Sequence, residues 1–275
     1  MMLQRQRGKF WNFTRMIKHG LAILILTALT QLGGIAWLLA LVMRALFLRF
    51  WVFFFAIYLS LSVAAHYAAP LAGREPLPCL DSGPSQIAVL NPLFCVLNRQ
   101  YVHPAIKAHG DALASHMHQQ FPGTRTRALD GSFPFVDGFP LLPHLSHTDG
   151  TRLDLAYYYR NASGAYELGR TKSPIGYWGF ETPPSESKAQ CIDSPGLSMR
   201  WDMAWLQPYF RDWTLDENRT RAALQWLADH PLGTDYTVLI EPYLEEQLSV
   251  SGEVIQFQGC QAARHDDHLE FSFQP

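Results

Sequence analysis

Hydrophobic positions in this chain fall into two regimes. Up to residue 71 they form long runs: Gly20 to Met43 holds 24 residues without a charge, and Trp51 to Leu71, after a short RALFLR connection, is rich in Phe, Leu and Val. Either run is long enough to cross about 30 Å of hydrocarbon at 1.5 Å per residue. Trp37, Trp51, Tyr58 and Tyr67 are of the type that anchors at bilayer interfaces. A removable signal peptide has an apolar core of only about 7–15 residues. Residues 1–72 are therefore expected to be a retained anchor of transmembrane helices, with segments at about 20–43 and 51–71 in contact with the lipid bilayer.

Beyond residue 72 the spacing is that of a folded domain. Residues 73–92 carry Pro, Gly and Ser and predict a linker, leaving 93–275 as the domain. Ile106, Leu113 and Met117 predict a helix over 103–120, whose His103, His109, His116 and His118 are expected on its solvated face. Residues 124–159 suggest short extended segments. Residues 170–200 have little periodicity and predict a loop or lid in which Tyr177, Trp178 and Phe180 close over a cleft. Asp216 is placed as the N-cap of a helix reaching Asp229, with Ala223, Leu224, Trp226 and Leu227 as its apolar stripe. A strand-like run at Thr237–Tyr243 precedes a helical turn. Near the end, Leu269, Phe271 and Phe273 alternate with His268, Glu270 and Ser272, the period of a half-buried strand. Separated helices and strands of this kind predict an α+β fold, with a central antiparallel sheet, flanking helices and long loops.

Charge sharpens the division. Residues 1–72 hold seven basic residues and no Asp or Glu, while all 24 acids lie beyond them and leave the domain mildly acidic. Positive charge beside the apolar runs and not on the folded part argues against a nucleic-acid partner. Five of the basic residues precede Gly20, which places the N-terminus in the cytoplasm. Two crossings would return the domain there. Yet all four cysteines lie in the domain, which suits two disulfides in an oxidising compartment, although four buried thiols would read the same. An odd number of crossings, with one run interfacial or re-entrant, removes the conflict.

Two clusters carry candidate chemistry. In PHLSHTDGTRLDL, His147 and Asp154 flank Gly150, with His144 three residues before His147; the second cluster is RHDDHLEF, with His265, Asp266, Asp267, His268 and Glu270. Imidazole nitrogens and carboxylate oxygens are what a zinc ion takes, and three protein ligands leave a position for water. On a strand–turn–strand, His147 and Asp154 converge on one ion, and the final strand turns His268 and Glu270 toward the same cleft. Asp202, Glu241 and Asp235 are candidates for supporting the ligands, with surface or capping roles the readier reading. The sequence has no Gly-rich phosphate loop, no H-E-x-x-H and no G-x-S-x-G, so nucleotide binding, other metalloprotease classes and serine hydrolysis lack support.

Ser146-His147-x-x-Gly150-x-x-x-Asp154 resembles the S-H-x-x-G-x-x-x-D signature of the lysostaphin, D-alanyl-D-alanine metallopeptidase and hedgehog-type zinc superfamily. The penicillin-insensitive murein endopeptidase branch is the most similar: its H-x-S-H is matched by His144–His147, and its H-D-D-H-x-H by His265–Leu269, with Glu270 in place of the last His. The resemblance covers about residues 95–275. It implies a membrane-anchored, metal-dependent peptidase, of endopeptidase or carboxypeptidase type, acting on peptidoglycan or its muropeptides from the bacterial inner membrane, with a periplasmic domain. Carried over, His147, Asp154 and Glu270 are metal ligands, His268 and His265 are catalytic, and His144 and Asp267 line the cleft. The implied cofactor is Zn. Two carboxylates and one His neutralise a divalent ion more fully than two His and one Asp, which would raise the pKa of its water and shift preference toward Mn or Mg. Three outcomes stay open for Glu270: third ligand, general base with His268 as ligand, or a mark of a catalytically inactive wall-binding or regulatory module.

Overall fold

The computed structural model describes residues 2–47, 49–81, 86–183, 191 and 198–275, with side chains from residue 13 onward except 45–47. Parts of the expected linker and of the expected lid thus lie outside the described residues.

Three helices open the chain: α1 (Met2–Thr30), α2 (Gly33–Phe47) and α3 (Phe50–Ala68). The apolar run expected over 20–43 is broken at Gln31, which takes a left-handed φ of 61°. Gly34 lets the chain fold straight back, since a Cβ there would lie 1.9 Å from Thr27 Oγ1 and 2.9 Å from the Ile23 carbonyl oxygen. Phe13–Thr30 and Phe50–Ala72 are long and apolar enough to cross a membrane; the apolar part of α2, Gly33–Arg44, is shorter. α3 runs antiparallel to α2, because Leu32 meets Ala65 and Ala69 while Ala36 and Ala40 pack with Phe54. Arg44 and Arg49 therefore lie at one end of the helical trio and the Gln31 turn at the other. That turn touches the rest of the protein: the Phe135 amide donates to Gln31 Oε1 at 3.2 Å, and Leu32 packs on Tyr101.

After a 3₁₀ turn at Ala69–Ala72 come β1 (Glu75–Pro76), β2 (Ile87–Val89), α4 (Leu93–Val96) and β3 (Tyr101–Val102). The stretch expected as a linker thus contributes two strands, and Cys79 within it is bonded to Cys95. Then follow α5 (Pro104–Gln120), β4 (Thr126–Ala128), β5 (Arg152–Ala156), β6 (Tyr159–Arg160), β7 (Thr214–Leu215) and α6 (Glu217–Asp229). The chain ends with β8 (Thr237–Leu239), α7 (Pro242–Gln247), β9 (Ile255–Gln256) and β10 (His268–Ser272). Cys191 and Cys260 form the second disulfide.

The main sheet has six strands in the order β2-β4-β5-β10-β8-β9. Its three inner pairings are antiparallel, as expected, but β2–β4 and β8–β9 are parallel, so the sheet is mixed at its edges. On β5 and β10 side chains alternate between faces. Leu153, Leu155, Leu269 and Phe271 enter one apolar cluster with Ile106 and Leu113 of α5 and Leu224 and Leu227 of α6. The opposite face carries Asp154 and Glu270, which sit directly across from each other in the β5–β10 ladder.

The helices start where the sequence places them. The His103 ring caps α5 by accepting from the Ala105 amide at 3.2 Å, ahead of Pro104. His109, expected on the solvated face, is instead buried between Tyr236, Trp226 and Phe271, and burial brings its pKa down to about 4. Asp216 caps α6 through the Arg219 amide at 3.3 Å and pairs with the Arg160 and Arg219 side chains. Burial alone would raise the Asp216 carboxyl, but Arg160 and Arg219 hold it below its usual value. Its contribution is thus present above its unfolded pKa and lost as the pH falls. Asp216→Asn keeps the cap and removes the charge, so acid denaturation followed by circular dichroism is expected to show a shallower loss of stability below about pH 4.

Candidate metal centre

Asp154 and Glu270 pose the central electrostatic problem. Like charges directly opposite on neighbouring strands are destabilising, and both residues are at most 3% exposed. A cationic group has to lie between or beside them.

His147 reaches this point from a loop, not from the strand expected before the turn. Its ring is fixed on the inner side: Nδ1 donates to the Gly131 carbonyl at 2.8 Å, which aims Nε2 at Asp154 Oδ1, 3.2 Å away, and at Glu270 Oε2, 3.5 Å away. Gly150 then turns the chain into β5 with φ 78°, and a Cβ on it would lie 2.8 Å from the Arg74 side chain. His144 approaches from the other side, with Nδ1 3.0 Å from Asp154 Oδ2 and 3.3 Å from Asp130 Oδ2. The Tyr177 hydroxyl donates to Asp154 Oδ2 at 2.6 Å and accepts from the Asp130 amide at 3.1 Å.

Among the described residues, His144 Nδ1, His147 Nε2 and Asp154 Oδ1 are buried and make no aligned hydrogen bond; what holds them is charge, His144 Nδ1 and His147 Nε2 each facing an oxygen of Asp154. His144, His147 and Asp154 each offer one ligand atom within 4.8 Å of the others, so this group could hold a metal ion. The donor set suits a divalent transition metal. Local charge agrees: four carboxylates (Asp130, Asp154, Asp267, Glu270) meet two guanidiniums, Arg99 and Arg152, leaving two negative charges for an ion or for imidazole protons to balance. Without an ion the protons take that role. Burial disfavours the charged ring of His147, but Asp154 and Glu270 outweigh it and hold His147 well above the usual histidine range. Burial would likewise raise Asp154, yet His147, His268 and His144 hold its carboxyl well below the usual range.

The remaining expected residues surround this group. Glu270 lies beside it, but its Oε1 accepts from Arg152 at 2.6 Å while Oε2 stands 3.6 Å from His265 Nε2. His268 Nδ1 is bonded to Asp267, and its Nε2 lies 3.8 Å from Asp154 Oδ2. Burial is again outweighed, here by Asp154 and Asp267, so the His268 pKa is raised. Asp267 also accepts from the Trp178 amide, holding Trp178 at a φ of 68°. His265 is placed by its backbone: its amide donates to Glu241 Oε1 at 3.0 Å and its carbonyl accepts from Tyr157 at 2.9 Å. Asp266 turns away to Arg264 and Tyr243.

Several supporting residues carry no signal in the sequence. Arg99 binds Asp130 through two 2.6 Å hydrogen bonds and the Leu142 carbonyl at 2.8 Å, bracing the segment that carries His144. Glu241, read chiefly as a surface or capping residue and alternatively as a support for the ligands, stands at the N-cap of α7, is only 4% exposed, pairs with Arg200 and orients His265. Among known proteins, no protein-family model matches the chain and no curated protein matches it.

Proposed function

We propose that this protein is a membrane-anchored, metal-dependent peptidase acting on peptide amides of the bacterial cell wall, with its domain on the periplasmic side. The observation that carries the proposal is the convergence of three buried ligand atoms, from His144, His147 and Asp154, within 4.8 Å of one another beside the Asp267–His268 pair. A divalent ion held there would polarise an amide carbonyl and lower the pKa of water. The chain's own residues supply the rest. His268, charged and fixed by Asp267, donates toward the developing oxyanion and then to the leaving amine. Glu270 Oε2, steadied by Arg152 on its other oxygen, faces His147 and His265 and accepts a proton. A polar groove of about 790 Å³, lined by Ser146, Thr148, Arg152 and Thr237 among others, borders the segment that carries His147 and suits an extended peptide.

The helical trio supports this side of the membrane. Arg44 and Arg49 sit at the end away from the domain, as does the N-terminal half of α1 with its basic positions; positive charge is retained in the cytoplasm. The trio makes three passes, the middle one short, and delivers the domain outside, where its two disulfides persist. Ser163→Cys, on an exposed turn, is expected to react with a membrane-impermeant maleimide in intact cells while Arg49→Cys does not; the reverse pattern would place the domain inside.

Full-length protein in nanodiscs is expected to hold about one divalent ion per chain by elemental analysis and to release fragments from muropeptides in a chelator-sensitive way. No ion together with no cleavage would overturn the proposal. The Arg152–Glu270 pair favours a second reading, a wall-binding module without activity; that reading requires muropeptide binding to survive His147→Ala with no cleavage by the parent.

The third ligand is open to direct measurement. Changing a residue that only supports a ligand weakens metal binding about 10–100-fold. Isothermal titration with Zn is expected to show more than about a 100-fold loss for His144→Ala and only about 10–100-fold for Glu270→Gln. The opposite order would make Glu270 the ligand.

A further inference from the structure

The cluster is reached by a second, apolar route. A cavity of about 160 Å³, walled by Leu93, Phe94, Leu97, Ile175 and Trp178, ends on His144 beside Arg99 and Asp130. Its outer wall is α4, and α4 is bound to the anchor: the Tyr58 hydroxyl donates to the Val96 carbonyl, and Asn98 Nδ2 donates to Tyr58 Oη at 2.9 Å.

The level of this contact matters. Tyr58 lies ten residues before the end of α3, about 15 Å along the axis. Past that level the helix keeps an apolar stripe outward at a spacing of four, with Leu59, Val63 and Tyr67 exposed by 65, 51 and 77%, and Leu71 in the following 3₁₀ turn by 91%. Such a stripe is built for lipid. So α4 meets α3 at a depth where α3 itself still faces hydrocarbon. The segments that wall the cavity match those surroundings: on α4, Leu93 and Val96 are 48 and 56% exposed, and Leu142 and Leu145, next to the lining residues Pro143 and His144, are 44 and 51% exposed. Exposed apolar side chains on both segments would be a liability on a soluble face, whereas beside membrane helices they are contact surface.

We infer that this cavity opens into the bilayer and receives the hydrocarbon chain of a membrane-anchored amphiphile, whose polar head is thereby brought to His144. The inference rests on the peptidase reading in one respect, the substrate: the peptide that is cut is still attached to a lipid. The polar groove takes the peptide, and the apolar cavity, which ends on His144, takes the first part of the lipid. Binding energy from the remote chain is then used to position the amide.

The test uses the full chain in vesicles of phosphatidylethanolamine and phosphatidylglycerol, doped with a phospholipid carrying a diazirine on its acyl chain. After photolysis, peptide mapping is expected to find adducts on Leu93, Phe94 or Leu97 as well as on α1–α3. Ile175→Trp, which fills the cavity, is expected to remove the cavity adducts and leave those on Leu59 and Val63, showing that the anchor is still in place. Adducts confined to α1–α3, or cavity labelling unaffected by Ile175→Trp, would overturn the inference. A parallel assay compares one muropeptide with and without a lipid chain, where kcat/KM is expected to favour the lipid-linked form by about tenfold or more, lost in Ile175→Trp. Equal cleavage of both forms also overturns the inference. Cavity labelling with no cleavage of either form removes the peptidase reading and leaves the bilayer opening standing.

Discussion

Asp154→Asn is expected to abolish both metal binding and hydrolysis while leaving the chain folded but less stable. Asparagine keeps the size of the side chain and can still accept from the Tyr177 hydroxyl, so the substitution isolates the charge. What is lost is the one anion that faces His144, His147 and His268 together. A divalent ion would be left with imidazoles and no carboxylate among the three grouped residues. Without an ion, the imidazoles lose the field that keeps them protonated in the interior. Removing one partner from a buried ionic group costs about 3–5 kcal/mol. At about 2–4 °C per kcal/mol for a domain of this size, the melting temperature of the chelated protein should fall by about 6–20 °C. Elemental analysis and calorimetry on the nanodisc preparation check both parts. An Asp154→Asn protein that retains one ion per chain would remove Asp154 from the ligand set.

The second large effect is expected from Arg99→Met, a residue that touches none of the three grouped ligand atoms. Arg99 and Asp130 are 8 and 0% exposed, and their bidentate pairing leaves neither charge free. Burial pushes the Asp130 carboxyl up, but Arg99 and His144 bring it down to about 2. With Arg99 gone, a fully buried carboxylate keeps only His144 as a partner, at a cost again of about 3–5 kcal/mol. Arg99→Met with Asp130→Leu should recover most of that loss, because an apolar pair of similar volume avoids the desolvation of both charges. Metal affinity should not recover with it, since Leu142 and His144 would still lack their brace. Thermal melts and zinc titration of the single and double variants separate the two roles. Full recovery of affinity in the double variant would show that the ion pair is structural only.

The sequence made the long-period elements visible and the short ones invisible. α5 announces itself by apolar spacing, α6 by its capping residue and apolar spacing, and β10 by strict alternation, so His268 and Glu270 could be assigned a shared face beforehand. β1 and β2 have two and three residues, too few for any period to register, which is why they passed for a linker. The break at Gln31 was hidden because the run remains uncharged through it; Gly33 and Gly34 were the available signal. His109 looked solvated because its neighbours on α5 are polar, while its burial comes from Tyr236 and Phe271, distant in the chain. In the site, His147, Asp154, His144 and the RHDDHLEF residues were legible as two clusters, and the structure brings both to one face of the sheet. Arg99, Asp130 and Arg152 were not, since each acts through a partner more than 30 residues away.

The segment from Phe135 to His147 starts at the hinge between α1 and α2, where the Phe135 amide rests on Gln31, and finishes at the metal group. Its root therefore rests on the helical trio and its tip on the His144–His147–Asp154 group. In the membrane-anchored peptidase proposed above, a helix pair that tilts to match a thicker or thinner bilayer would move that root. Bilayer thickness would thereby become a variable of the catalytic geometry, and a fragment cut free of residues 1–72 would retain all three grouped residues while losing the fixed point from which two of them are aimed.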